Sequence, residues 1–175
     1  MKSSAKITLC ALSAALSVVF MLVSYFPYLT YTIPAIAGLF MMVPLAEINY
    51  KYSFAAYIVS SVLVFIFAEK EAATLFVFFF GHYPIVKSLL EKIKNVIAEW
   101  ALKVLVFNVC VVAAYFILSI VFDIHIEELG KLGRYSSYVL LAAANIVFIL
   151  YDIAVSRVAT IYVYRIHPQI KKIIK

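Results

Sequence analysis

Few side chains in this sequence can do chemistry, and their spacing decides what kind. His82, Asn108 and Asn145 each stand alone inside a long apolar run, in "FFFGHYPIV", "VLVFNVCVV" and "AAANIVFIL". A polar group in hydrocarbon is costly unless it faces the protein interior or a wet cavity. An imidazole and two carboxamides offer hydrogen bonds, and two uses fit them: glue between packed helices, or the floor of a pocket that meets polar groups of a ligand. A metal centre is not expected, because a lone histidine lacks the further ligands that zinc requires, and His125 and His167 fall in a loop and a tail. Cys10 and Cys110 also lie inside apolar runs, where a thiol behaves as a small hydrophobe. An enzyme would need a nucleophile paired with its base, and no such spacing exists here, so neither catalysis nor a cofactor is expected. Glu47, Lys103, Asp152 and Arg157 form a second set, nearer the cytoplasmic face in the topology below. Unpaired charge at that depth is expensive, so the set is expected to pair structurally rather than to relay protons.

The elements that position these groups follow from composition. The 175 residues are 66% hydrophobic and 14% charged, with a mean hydropathy of +1.05, well beyond a soluble domain. A span needs about 20 apolar residues. The runs predict an all-α, polytopic membrane protein with six transmembrane helices over Ile7–Phe26, Ile33–Ile48, Tyr52–Phe67, Ala72–Leu89, Glu99–Phe122 and Ser136–Val163. Residues 1–175 are expected to form a single domain. The first run resembles a signal peptide, but it leads into Tyr-Phe-Pro-Tyr rather than a small-residue cleavage site, and is expected to remain as a helix. At 1.5 Å per residue, His82 falls roughly 15 Å from the outer end of the fourth span, Asn145 roughly 13 Å from that of the sixth, and Asn108 roughly 14 Å from the inner end of the fifth. In a core about 30 Å thick all three lie near the midplane.

Charge sets the orientation. With both termini in the cytoplasm, all of the 15 basic residues except Lys70, Lys131 and Arg134 fall inside, as the positive-inside rule requires. The net charge of +6 is then topology, and nucleic acid is not an expected partner, since the cations are scattered through short loops and helix ends. In "LLEKIKNVIAEW" the pairs Lys87/Glu91 and Glu99/Lys103 sit four apart and Glu91/Lys94 three apart. That spacing predicts a short interfacial helix, lying on lipid headgroups or docking a cytoplasmic partner. Gly81 and Pro84 bracket His82. Pro84 has no amide hydrogen and clashes with the carbonyl of Phe80, so the fourth helix is expected to bend there and free that acceptor.

Between the first two spans, "YFPYLTYTIP" crowds Tyr25, Phe26, Tyr28 and Tyr31 at the outer interface. They serve either as an aromatic belt or as a lid whose rings stack on a flat ligand. The outer loops "AEKEA" and "DIHIEELGKLGR" are acidic on balance; they either help admit a cation or merely complement the topology. In the first span, "ITLCALSAALSVVF" carries small residues four apart at 10/14, 11/15 and 13/17, which let another helix approach closely.

A chain of this length with six helices, both termini inside, basic first residues and an Ala-xxx-Ala first helix resembles the substrate-binding S component of energy-coupling factor vitamin transporters. Ala11 and Ala15, and more loosely Cys10 and Ala14, carry the match. The resemblance implies that these four residues contact a transmembrane coupling subunit. It implies that Tyr28 and Tyr31 act as a lid, and that Asn108, Asn145 and His82 line a pocket for a small vitamin-like solute. It further implies that ATPase subunits are separate chains, in a bacterial plasma membrane. Consistent with that, the glycines Gly38, Gly81, Gly130 and Gly133 make no phosphate-cradling loop. The alternative is a membrane scaffold of the rod-shape-determining type with no ligand. A scaffold would have a filled centre; a receptor would have an outward cavity lined by His82, Asn108 or Asn145.

Overall fold

A computed structural model of the chain describes residues 3–26, 28–121 and 136–173, with the side chains of 121, 136–138 and 171–173 left aside. Lys2, His125, Lys131, Arg134, Lys175 and the loop "DIHIEELGKLGR" lie outside the described residues. The helices are α1 (Ser3–Leu22), α2 (Thr32–Leu39), α3 (Met42–Glu47), α4 (Tyr50–Phe67), α5 (Lys70–Leu75), α6 (Tyr83–Leu90), α7 (Val96–Val121), α8 (Ser136–Ile161) and α9 (His167–Ile173). A 3₁₀ turn at Val23–Tyr25 extends α1, and π segments at Phe76–Phe80 and Tyr162–Ile166 join α5 to α6 and α8 to α9. No strand occurs among the described residues. Five stretches are long and apolar enough to cross a bilayer: Ser3–Tyr25, Tyr50–Phe67, Lys70–Leu90, Val96–Ile120 and Val139–Ile170. The chain is an all-helical, multi-pass membrane protein.

The second expected span differs from the other five. It is broken into α2 and α3 at Phe40–Met41, and Thr32–Glu47 is shorter than the rest. Pro44 is the physical reason: it cannot donate to the carbonyl of Phe40 and would collide with it. The Phe40 oxygen instead accepts from the Val43 amide at 3.2 Å. Irregular backbone at membrane depth must find partners inside the protein, and hydroxyls supply them. Ser17 on α1 donates to the Ala37 carbonyl (2.9 Å) and Ser53 on α4 to the Met41 carbonyl (2.6 Å).

The bend in the fourth span takes a different form from a simple proline kink. One turn before Pro84 the helix widens into the π segment, where the Gly81 amide reaches back five residues to the Phe76 carbonyl at 2.8 Å. Tyr57 of α4 donates to the Val77 carbonyl at 2.5 Å. The Phe80 carbonyl meets the backbone of Gly38: a methyl group at Gly38 would lie 2.1 Å from that oxygen. Only glycine permits this approach of α2 to the π segment.

The π segment also joins two cores. Phe76 belongs to one built of small and aliphatic residues, with Met21, Ala37, Val64 and Ala72. Phe79, three residues on, belongs to an aromatic one with Tyr83, Phe107 and Phe148. Phe107 and Phe148 stack at 4.5 Å, and Phe79 meets both edge-on. The expected interfacial helix between the fourth and fifth spans is absent: α6 ends at Leu90, residues 91–95 turn, and α7 starts at Val96. Asn95 explains the start, since its Oδ1 accepts from the Ile97 and Ala98 amides at 3.0 and 3.4 Å, capping the helix. Asn49 caps α4 in the same way, at 3.0 and 3.1 Å.

Candidate functional site

The two asparagines meet. Asn108 on α7 and Asn145 on α8 exchange reciprocal Nδ2–H···Oδ1 hydrogen bonds of 3.1 Å, and each amide also donates to the carbonyl one turn back, Val104 and Leu141, at 2.8 Å. All four amide hydrogens are thereby engaged. The arrangement cross-links two helices, as carboxamides do between membrane helices. His82 sits elsewhere on the same level. Its Nε2 faces the Cys110 thiol at 3.8 Å and its ring meets Tyr57 edge-on at 5.6 Å, while Nδ1 is buried without a hydrogen bond. Cys110 is two residues beyond Asn108, roughly 3 Å along the helix, so the three groups share a height without forming one cluster. The Tyr151 ring packs against Phe79 and Phe80, with centroids 5.8 and 4.9 Å away.

A denser polar centre lies at the end of the bundle holding residues 91–95, hereafter the hub end. Asp152 on α8 is its focus. Its carboxylate pairs with Lys87 of α6, accepts from the Tyr83 hydroxyl at 2.5 Å, and lies 3.5 Å from the Lys103 ammonium of α7. Lys103 is held 2.7 Å from Glu99 and 3.6 Å from Glu91, and Lys87 is 3.1 Å from Glu91. Lys87, Lys103 and Asp152 are at most 4% exposed. Three helices thus converge on one carboxylate, and Lys103 also lies 5.2 Å over the Trp100 ring. Both expected i,i+4 pairs, Lys87/Glu91 and Glu99/Lys103, are present.

Glu47 belongs to a different group. Its Oε1 accepts from the Tyr162 hydroxyl at 2.9 Å and lies 2.8 Å from His167 Nδ1. Tyr162 and His167 are five apart, which in an α-helix leaves them roughly 140° apart around the axis. The π segment at Tyr162–Ile166 brings them to one side, because its hydrogen bonds close over five residues. Arg157 is exposed and belongs to neither group.

Sequence reasoning missed the roles of Tyr83, Lys87 and His167: in sequence, Tyr83 reads only with the bend at His82, Lys87 with the basic interfacial stretch and His167 with the tail. The available signal was the four-residue spacing of Tyr83 and Lys87, which puts a hydroxyl and an ammonium on one helix face.

The opposite end of the bundle, with residues 28–31 and 68–69, is built otherwise. Tyr28 is 96% exposed and adopts φ 70°, a left-handed backbone that a bulky residue adopts only under constraint. Tyr25 donates to the Phe67 carbonyl at 3.1 Å, and Tyr31 to Glu71 Oε2 at 3.3 Å. Burial first, then the Glu71 and Glu69 carboxylates, push the Tyr31 hydroxyl pKa up. A cleft of about 370 Å³ opens here, lined by Tyr25, Phe65, Ile66, Ala68 and Glu69 to Glu71; His82, Asn108 and Asn145 do not line it.

On α1 the small residues divide. Ser13, Ala14 and Ser17 are buried, and Cys10 points its thiol at the Tyr52 carbonyl at 3.7 Å. Ala11 and Ala15 are exposed on the outer surface of the bundle, next to Leu12 and Val19. No protein-family model, curated protein or solved structure matches the chain.

Proposed function

We propose that this protein is the substrate-capture membrane subunit of an energy-coupling-factor-type importer in a bacterial plasma membrane. In this reading α2 and α3 together act as the sixth span and both termini face the cytoplasm. The chain binds a small micronutrient from outside and relies on separate coupling and ATPase chains for energy. The observation that carries the reading is the division of α1. Its serine-rich side serves the fold, while Ala11 and Ala15 present a smooth, unpartnered strip of the kind that lets a second membrane helix approach closely. Cys10 and Ala14 face the protein itself and are set apart from that contact.

Co-purification of the full chain with a coupling module, and mass spectrometry of small molecules that travel with it, test the proposal. Ala11→Leu with Ala15→Leu is expected to abolish partner capture while leaving the monomer folded and any bound solute in place. Partner capture that survives the double substitution counts against this use of α1.

One observation favours a second reading, a ligand-free membrane scaffold. The centre between α6, α7 and α8 is filled by rings, and Asn108 and Asn145 spend their amide hydrogens on the protein. A purified chain that carries no small molecule, captures no ATPase module and recruits other membrane proteins would favour the scaffold.

A further inference from the structure

The cleft at the loop end has a lining that fits one ligand chemistry. Tyr25 and Phe65 supply aromatic surface, Ile66 and Ala68 an apolar floor, and Glu69 and Glu71 two carboxylates against the single cation of Lys70. Its volume of about 370 Å³ lies in the range of small-ligand sites. Carboxylates beside aromatic faces attract organic cations, through charge and through the ring quadrupole. Two further observations mark the same place. Glu69 Oε2 is buried without a hydrogen-bond partner, so no donor offsets that oxygen of a carboxylate on the cleft's lining, and a cation in the cleft gains from its charge. Glu71 is engaged at Oε2 by only a long 3.3 Å bond from Tyr31, whose hydroxyl pKa is raised first by burial and then by the charge of Glu71 and Glu69.

We propose that this cleft binds an organic ammonium ion, with Glu69 and Glu71 as the counter-charge and Tyr25 and Phe65 as the aromatic walls. The ammonium can belong to a free solute or to the headgroup of an aminophospholipid, since Phe65 and Ile66 are 48% and 65% exposed on the lipid-facing side of α4. If the ligand is the imported solute, the assignment rests on the transport reading above; cation binding itself does not.

The test uses the full chain in nanodiscs of phosphatidylglycerol, titrated calorimetrically with choline and with its neutral isostere 3,3-dimethylbutan-1-ol. Choline is expected to saturate the protein and to bind at least about tenfold more tightly than the isostere, the scale of a cation–aromatic contact joined to a charge pair. Glu69→Gln with Glu71→Gln is expected to erase that preference without altering the melting temperature. If the double variant fails to fold, Glu71→Gln alone and the isostere comparison carry the test. Equal binding of choline and the isostere, or saturation by neither, overturns the proposal. Loss of choline binding in phosphatidylethanolamine discs upholds the ammonium site and assigns it to lipid; binding that persists there assigns it to a solute. Capture of a coupling module through Ala11 and Ala15 is measured separately, so either idea can fail alone.

Discussion

The two ends of this bundle treat polar groups in opposite ways. At the hub end, Lys87, Lys103 and Asp152 are almost wholly buried, yet each has several partners drawn from three helices. At the loop end the matching is incomplete: Tyr25 and Tyr31 find acceptors, but Ser24 Oγ and Glu69 Oε2 are buried without partners, and Tyr28 holds a strained backbone in full exposure. Complete pairing costs a protein its capacity to bind anything else there, because the hydrogen-bonding groups are already used. Incomplete pairing leaves them available. On the proposals above, one end of the bundle serves rigidity and the other is left free to bind.

The hub offers the largest way to break this contrast. Asp152→Ala leaves Lys87 and Lys103 buried around a missing carboxylate, and is expected to destabilise the protein by about 3–5 kcal/mol, read as a lower melting temperature in detergent. Lys87→Met combined with Asp152→Leu removes charge in balance and is expected to recover most of that loss. If the single and double variants melt alike, the hub is not a cooperative lock.

Gly38 is the next test, because it lies between the two ends. Gly38→Ala forces a methyl group onto the Phe80 carbonyl, 2.1 Å from its ideal position, where only backbone can yield. A cost of about 1–3 kcal/mol is expected from overpacking, again in the melting temperature; an unchanged melt would mean that α2 shifts freely against the π segment. Asn108→Leu with Asn145→Leu is expected to cost less, about 1 kcal/mol, since hydrogen bonds between membrane helices are individually modest. Retained ligand affinity in that double variant would sharpen the contrast by placing binding at the loop end. Affinity lost from a folded variant would move binding back to the midplane.

The smallest effect is a titration. Tyr31 has its pKa raised from 10.0 by burial and by the Glu71 and Glu69 carboxylates. A folded-state pKa above the unfolded value means that its contribution is present below the unfolded pKa and lost as pH rises through the folded one. The Tyr31–Glu71 contact is therefore expected to release only in alkali above pH 10.0, leaving the hub end intact. Ultraviolet difference titration of wild type against Tyr31→Phe checks this, and ionisation at or below 10.0 would contradict it.

Five of the six expected spans were legible in the sequence because each is a continuous apolar run of bilayer length. The remaining one, Thr32–Glu47, was legible as apolar but not as broken and short. Pro44 was visible, yet the break it sets at Phe40–Met41 also relies on Ser17 and Ser53 of other helices, which donate to the Ala37 and Met41 carbonyls beside it. The bend near His82 was anticipated from Pro84. Its conversion into a π segment was not, because that depends on Tyr57 of another helix capturing the Val77 carbonyl. Among the candidate site residues, sequence brought Asn108 and Asn145 to one depth, but facing was undetermined, since α7 has no marked apolar or polar side from which rotation can be read.

What the sequence alone determined is the solvent and the inventory: a chain this apolar must hold its helices in lipid, and its few polar groups must each find a reason. The tertiary structure alone decided the pairings. Lys87 looked like a headgroup anchor until α8 placed Asp152 against it, and His167 looked like a tail residue until the second π segment turned it to Glu47. The physical reason is that periodicity along one helix fixes which residues share its face, whereas the partner across the gap depends on the rotation and depth of a different helix, set by contacts distant in the chain.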